Sequence, residues 1–334
     1  MKNRIMHWVL PLLAMCFVTC TVNEIYVNQG SDLEKDYFTI ENAVFRDAEF
    51  PLATIEETIG EIEMSPHVMN GAMNYITVRT NKIVQRFFVA IKNVAGYLEY
   101  TPTLESDSFG ELNTYIIPVM MSPTYSGNST IRLSAQLNNG GITIPVENDV
   151  FYIETMPGVL DIKLSFSNSK DVDLHLYTPS GEHIYFGNMG GSAEDANGGQ
   201  VSYGLDIDSN AGCELDHKNK ENIYLPTEKI EYGTYKVVVD MYSNCEPSIP
   251  TTWSVVAKYK DENVEVSSGA NPASGVYPAG APDGDMTQVM TFTIEEDEEA
   301  SYGRTRNRIE FKPFELSEMA KMKLDEWRYF RGNN

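Results

Sequence analysis

Tyr235-Lys236-Val237-Val238-Val239-Asp240-Met241 alternates with a period of two, placing Tyr235, Val237, Val239 and Met241 on one face. Trp253-Ser254-Val255-Val256-Ala257-Lys258-Tyr259 repeats the pattern, with Trp253, Val255, Ala257 and Tyr259 together. Successive side chains of an extended chain point to opposite sides, so one apolar face per strand predicts sheets packed on one side. Runs of similar character at 160–167, 172–177, 183–186, 201–207 and 288–294 complete an antiparallel β-sandwich over residues 158–298. The Gly- and Pro-rich stretch 268–284 reads as a surface excursion before the last strand.

Upstream, residues 46–155 carry the same signals. Short β-branched and aromatic runs at 75–79, 85–91, 97–100, 115–121, 130–137, 142–146 and 150–155 are separated by turn residues. Asn138-Asn139-Gly140-Gly141 is a hairpin signal, because these residues tolerate the positive φ of tight turns. Residues 82–92 also fit a helical period. The expectation is a second antiparallel sandwich, similar to the immunoglobulin-like modules that precede other domains in bacterial surface proteins. Met156-Pro157-Gly158 marks the boundary between the two.

The ends differ from the body. Lys2 and Arg4 precede a short apolar run from Trp8 to Val18, too short for a membrane span and arranged as an export signal. Phe17-Val18-Thr19-Cys20 resembles the lipobox of bacterial lipoproteins. The resemblance implies a signal over 1–19, lipid on Cys20 and anchorage in the bacterial cell envelope, as an outer-membrane or surface lipoprotein or one facing the periplasm. Residues 20–45 would be a polar tether with weak strand character, or add an edge strand to the first domain. Residues 299–334 form a basic tail in which Pro313 starts a helix over about 314–331 with a rough apolar stripe.

With 48 Asp and Glu against 25 Lys and Arg, the 334-residue chain has a formal charge of −23. Such a body repels phosphate backbones, which excludes nucleic acid as a natural partner and favours cations or neutral ligands. Of four cysteines, Cys16 lies in the signal and Cys20 would carry lipid. Cys213 and Cys245 remain, an even pair that reads as one disulfide in an oxidising compartment, worth roughly 3–4 kcal/mol; two buried thiols are the alternative.

The chemistry-bearing pattern lies in two acidic strands. In Asp171-Val172-Asp173-Leu174-His175-Leu176-Tyr177 the apolar residues face one way and Asp171, Asp173 and His175 the other. In Leu205-Asp206-Ile207-Asp208-Ser209-Asn210, strict alternation turns Leu205 and Ile207 inward and lines the opposite face with Asp206, Asp208 and Asn210. Carboxylates at strand spacing repel, so the pattern requires open solvent or a cation. Together with Thr178-Pro179-Ser180-Gly181-Glu182, Gly198-Gly199, Glu221-Asn222-Ile223 and Gly233-Thr234-Tyr235-Lys236-Val237, these blocks resemble the YfaP-type (DUF2135) domain family over about residues 160–260. The resemblance implies a β-sandwich in an extracytoplasmic setting and little about activity.

Three readings of the acidic residues stand open. Asp171, Asp173, Asp206, Asp208 and Asn210 offer all-oxygen ligands, which suit Ca²⁺. They also suit structural hydrogen bonding, with Asp171 capping the turn before it. His175 and His183 with an Asp would instead take Zn²⁺, although no established zinc spacing is present. No complete catalytic motif occurs in the chain. The sequence therefore points to a lipid-anchored envelope protein that binds or scaffolds, stabilised by calcium, with a protein or glycan partner. The alternative is a hydrolase, or an accessory module of one, acting on glycans or peptides, with Asp206 and Asp208 as its paired carboxylates.

Overall fold

The computed structural model describes residues 32–103 and 112–296, and the chain is mainly β. The signal, Cys20 and the tail with its expected helix lie outside the described residues. No helix among the described residues is long and apolar enough to cross a membrane.

The first sandwich is built from Phe38–Thr39 (β1), Val44–Arg46 (β2), Glu61–Met64 (β3), His67–Val68 (β4), Met73–Thr80 (β5), Val84–Ile91 (β6), Tyr97–Tyr100 (β7), Asn113–Met121 (β8), Ser129–Leu137 (β9) and Val146–Tyr152 (β10). One sheet runs β1-β8-β5-β3 and the other β2-β7-β6-β9-β10-β4. All pairings are antiparallel except β10 with β4. Ile76, Val78, Ile117 and Val119 of one sheet meet Phe87, Val89, Leu98 and Leu133 of the other in a common core. Within 82–92 the chain forms strand β6 over Val84–Ile91 and no helix, since a two-residue period with Phe87, Val89 and Ile91 inward buries more apolar surface than a lone helix would. The described part of the segment expected as a tether, from residue 32 on, belongs to this sandwich. Leu33, Phe38 and Ile40 are buried in this core, and β1 and β2 are edge strands of its two sheets.

The second sandwich comprises Leu160–Phe166 (β11), Asp171–Tyr177 (β12), His183–Ile184 (β13), Gly190–Glu194 (β14), Gln200–Ile207 (β15), Lys220–Leu225 (β16), Gly233–Ser243 (β17), Thr251–Tyr259 (β18), Glu262–Asn263 (β19), Val266–Gly269 (β20), Ala273–Tyr277 (β21) and Asp285–Ile294 (β22). Its larger sheet runs β14-β15-β16-β11-β18-β19, with β21 also paired to β18; the smaller runs β13-β12-β17-β22-β20. The alternating faces meet as expected: Ile162, Leu164, Ile223 and Val255 pack on Val172, Leu174, Val237 and Val239. Each such side chain, removed from water, contributes ~1.5–3 kcal/mol. Tyr235 closes a corner, its hydroxyl donating to the Glu231 carbonyl and accepting from the Glu231 N–H, both at 2.8 Å.

Two expectations are corrected here. The stretch 268–284 is not an excursion, because β21 lies within it and buries Ala273 and Tyr277 in the core. Nor are the sheets covered on one side only. All of β12 and β16 is buried on both faces. The first sandwich supplies much of the cover for the larger sheet: Met69 and Ala72 pack with Ile207. Lys163 Nζ donates to the carbonyl and Oδ1 of Asn70, both at 2.9 Å. Lys220 Nζ, fully buried, donates to Asn74 Oδ1 at 3.1 Å.

This junction holds a carboxylate that carries a pH prediction. Burial, set against the attraction of Lys163, pushes the Asp161 carboxyl up to about 6. A folded value above the unfolded one (about 3.9) means the stabilising contribution is complete below about pH 4 and is lost as pH rises through about 6. Asp161→Asn is therefore expected to stabilise the protein by about 2 kcal/mol at pH 7.5 and by nothing measurable at pH 4. Thermal melts at the two pH values check this, and an equal shift at both would refute it.

Candidate metal centre

Along β12, Val172, Leu174 and Leu176 enter the core while Asp171, Asp173 and His175 take the other face. β13 reaches only Leu176 and Tyr177, so the first part of β12 borders its sheet. There the Leu174 N–H donates to Glu221 Oε2 at 2.6 Å, a side chain from the opposite sheet. Glu221 arrives by its own alternation, sharing a face of β16 with Ile223 and Leu225, both core residues. It is a carboxylate in a core position.

Asp208 completes the group. β15 pairs Leu205 with Ile223 but Ile207 with Asn222, so Asp206 is the extra residue of a bulge. A bulge re-aims the side chains beyond it. Leu205 stays in the sandwich core, Ile207 turns to Met69 and Ala72 of the first sandwich, and the chain leaves the sheet at Asp208. The expectation that Leu205 and Ile207 share an inward face fails for this reason. Asp173, Asp208 and Glu221 each offer an oxygen, and these atoms lie within 4.8 Å of one another. That span is twice the ~2.4 Å Ca–O distance, so one ion fits among them.

The electrostatics demand compensation. Asp173 and Glu221 are 1% and 0% exposed, and Asp208 is half-buried. Two carboxylates ~4 Å apart repel by about 4 kcal/mol even at an effective dielectric of 20, and a domain's whole stability is about 5–15 kcal/mol. Burial first, then Asp173 and Asp208, raise the Glu221 carboxyl well above its ordinary range. Burial, reinforced by Asp216, raises Asp208. Glu221 Oε1 and Asp208 Oδ1 are buried without a hydrogen-bond partner among the described residues. Protons or a cation must neutralise such a group, and carboxylates converging from three segments, two of them with orphaned oxygens, suit a hard divalent ion.

The other expected ligands are placed elsewhere. Asp206 accepts from the Met156 N–H at 2.6 Å and from Asn222 Nδ2 at 2.7 Å, clamping the bulge to the segment between the sandwiches. Asp171 Oδ2 accepts from the Gly212 N–H at 2.7 Å. Asn210 is spent on the loop from 208 to 219. Its Nδ2 donates to Lys170 O and Asn219 Oδ1, and its Oδ1 accepts from the N–H groups of Asp216 and His217. Cys213, in the same loop, is joined by a disulfide to Cys245 beyond β17. Of the five residues expected to hold an ion, the structure thus unites Asp173 and Asp208 and adds Glu221.

A second group adjoins the first. Asp240, opposite Asp173 in the β12–β17 register, lies with Asp173 and His175 so that one ligand atom of each falls within the same 4.8 Å limit. His175 is 1% exposed, its Nδ1 2.9 Å from His183 Nε2. His183 lies flat between Tyr177 and Tyr185, with ring centroids 4.1 and 3.9 Å away. Burial lowers His175 to about 3 and His183 to about 4, Lys236 adding to both, so the imidazoles are neutral at physiological pH.

No known family model matches the chain and no curated protein matches it. Among solved structures it is similar to SGBP-B of the Bacteroides ovatus mixed-linkage glucan utilization locus, in complex with a mixed-linkage heptasaccharide. The identity is 14% and the TM-score 0.20, over 57% of this chain and 40% of that one. The chain thus spans less than half of that protein's length. It is also similar to the C-terminal domain of the Streptococcus agalactiae AgI/II polypeptide BspA, at 9% identity and a TM-score of 0.20, over 60% of this chain and 96% of that domain. At that TM-score neither likeness carries an argument about fold or function.

Proposed function

We propose that this is a lipid-anchored protein of the bacterial cell envelope that works by binding or scaffolding, its second sandwich a YfaP-like module braced by Ca²⁺ at Asp173, Asp208 and Glu221. The observation that carries the reading is the burial of its strongest chemical constellation. Asp173 and Glu221 are at most 1% exposed, which suits an ion built into the fold and denies a substrate access. Asp206, needed by the hydrolase alternative, is engaged with Met156 and Asn222 rather than flanking a cleft with Asp208. The anchor rests on the Phe17-Val18-Thr19-Cys20 string.

Fractionation and a ligand array test the proposal together. Native protein is expected in the membrane fraction and Cys20→Ser in the soluble one. On glycan and peptide arrays, retention without released product is expected. Product release that Asp206→Ala abolishes would replace binding by hydrolysis, and unchanged partitioning of Cys20→Ser would remove the anchor.

A further inference from the structure

We propose a second cation position beside the first, formed by Asp173, His175 and Asp240 and selective for a borderline divalent ion such as Zn²⁺, with Asp173 shared between the two ions. The inference deepens the reading above and rests in part on it, since the shared carboxylate is the one assigned to Ca²⁺.

The imidazole carries the selectivity. Carboxylates alone suit Ca²⁺ or Mg²⁺, whereas nitrogen with oxygen ligands suits Zn²⁺ and its transition-metal neighbours. His175 Nε2 is buried without a hydrogen-bond partner, and Asp240 Oδ2 is 4.0 Å from it, too far for a hydrogen bond. Both tautomers leave this nitrogen unsatisfied. If Nε2 bears the proton, it is a buried donor lacking an acceptor. If Nδ1 bears it and donates to His183, the Nε2 lone pair lies 4.0 Å from the Asp240 carboxylate, an arrangement that repels until a cation enters. Tetrahedral Zn²⁺ with bonds of ~2.0–2.2 Å sets its ligand atoms about 3.4 Å apart, so a side-chain closure of about half an ångström from the 4.0 Å separation completes the position.

His183 then acts as a positioning residue. Metal-bound histidines donate their other ring nitrogen to a fixed acceptor, which sets ring orientation and tautomer. His183 Nε2 is that acceptor, itself held between the rings of Tyr177 and Tyr185. Carboxylates shared by two ions hold them ~3.5–4 Å apart in proteins generally. The pairing of Asp173 with Asp240 and the contact of Leu174 with Glu221 put the two sets on either side of one strand segment.

The probe is Co²⁺, a visible-absorbing surrogate for Zn²⁺, added to metal-stripped protein already saturated with Ca²⁺. Elemental analysis of the dialysed protein is expected to give one Co²⁺ beside one Ca²⁺ per chain, with d–d bands of nitrogen and oxygen coordination. His175→Gln is expected to lose Co²⁺ and keep Ca²⁺; Asp208→Asn is expected to do the reverse. His183→Phe, which preserves the ring stack, should weaken Co²⁺ by roughly 10–100-fold with Ca²⁺ unchanged. Binding of Ca²⁺ with no Co²⁺ overturns this proposal and spares the calcium reading. So does one-for-one displacement of Ca²⁺ by Co²⁺ that His175→Gln does not affect. Co²⁺ without Ca²⁺ supports this position and removes the other, and binding of neither overturns both.

Discussion

Glu221→Gln is expected to raise the melting temperature in metal-free buffer and to lower it in millimolar calcium, a reversal of sign that a merely structural glutamate does not produce. In the absence of metal, the variant replaces an ionisable group wedged between Asp173 and Asp208 by a neutral one of the same shape. Its amide oxygen still accepts from the Leu174 N–H, so the strand edge keeps its hydrogen bond. Relief of repulsion then stabilises the variant, by about 1–2 kcal/mol, since protonation already softens the repulsion in native protein. With calcium present the balance inverts. An ion that binds only the folded state adds RT ln(1 + [L]/Kd), about 4 kcal/mol at a thousandfold excess over Kd. For a domain of this size that is roughly 8–16 °C, and the variant forfeits most of it. Scanning calorimetry of both proteins, each in chelator and in calcium, gives the four numbers. A native melt that calcium does not move, with the variant lower in both buffers, would remove the ion and make the Glu221 carboxylate itself a structural group.

The same residue shows where sequence reading stops. Tyr235 to Met241 and Trp253 to Tyr259 revealed the sandwich because every second residue is apolar and packs in or against the core, and no tertiary knowledge enters that inference. Asp173 stood out for the same reason. Glu221 was legible in principle: with Ile223 and Leu225 it shares one face of a strand, and a glutamate on an apolar face is a signal in itself. The bulge at Asp206 was not legible. Strict alternation sent Asp206, Asp208 and Asn210 to one side, whereas one inserted residue gave them three separate fates. Nor could local pattern show that the outward faces of β12 and β16 are buried, because that depends on where the first sandwich and the loop from 208 to 219 come to rest. The strands in 266–277 were hidden by composition. Gly and Pro lower strand propensity, yet Ala273 and Tyr277 reach the core through pairing with β18.

Removal of the disulfide, as Cys213→Ala with Cys245→Ala, is expected to cost both stability and calcium affinity, and the second loss separates a working brace from a passive one. The loop from 208 to 219 has no regular sheet to hold it. Asn210, Cys213, His217 and Asn219 all adopt positive φ, between 55° and 64°, which is costly for residues with a Cβ. The ties that oppose that cost include the side chain of Asn210, Asp171 Oδ2 accepting from the Gly212 N–H at 2.7 Å, the hydroxyl of Ser65 in the first sandwich donating to Lys218 O at 2.8 Å, and the bond to Cys245. Only the disulfide links the loop covalently to the smaller sheet, the sheet that carries Asp173. Unlinking it releases about 2–4 kcal/mol of constraint on the unfolded chain, which lowers the melting temperature by roughly 4–16 °C. It also frees Asp208 to move relative to Asp173 and Glu221, and calcium affinity is expected to fall by at least about tenfold, the ordinary effect of loosening a ligand's support. Titration calorimetry on the double variant, run well below its melting temperature, isolates that second effect. If affinity is unchanged while stability drops, the hydrogen bonds of Asn210, Asp171 and Ser65 suffice to place Asp208, and the disulfide acts on the unfolded chain alone.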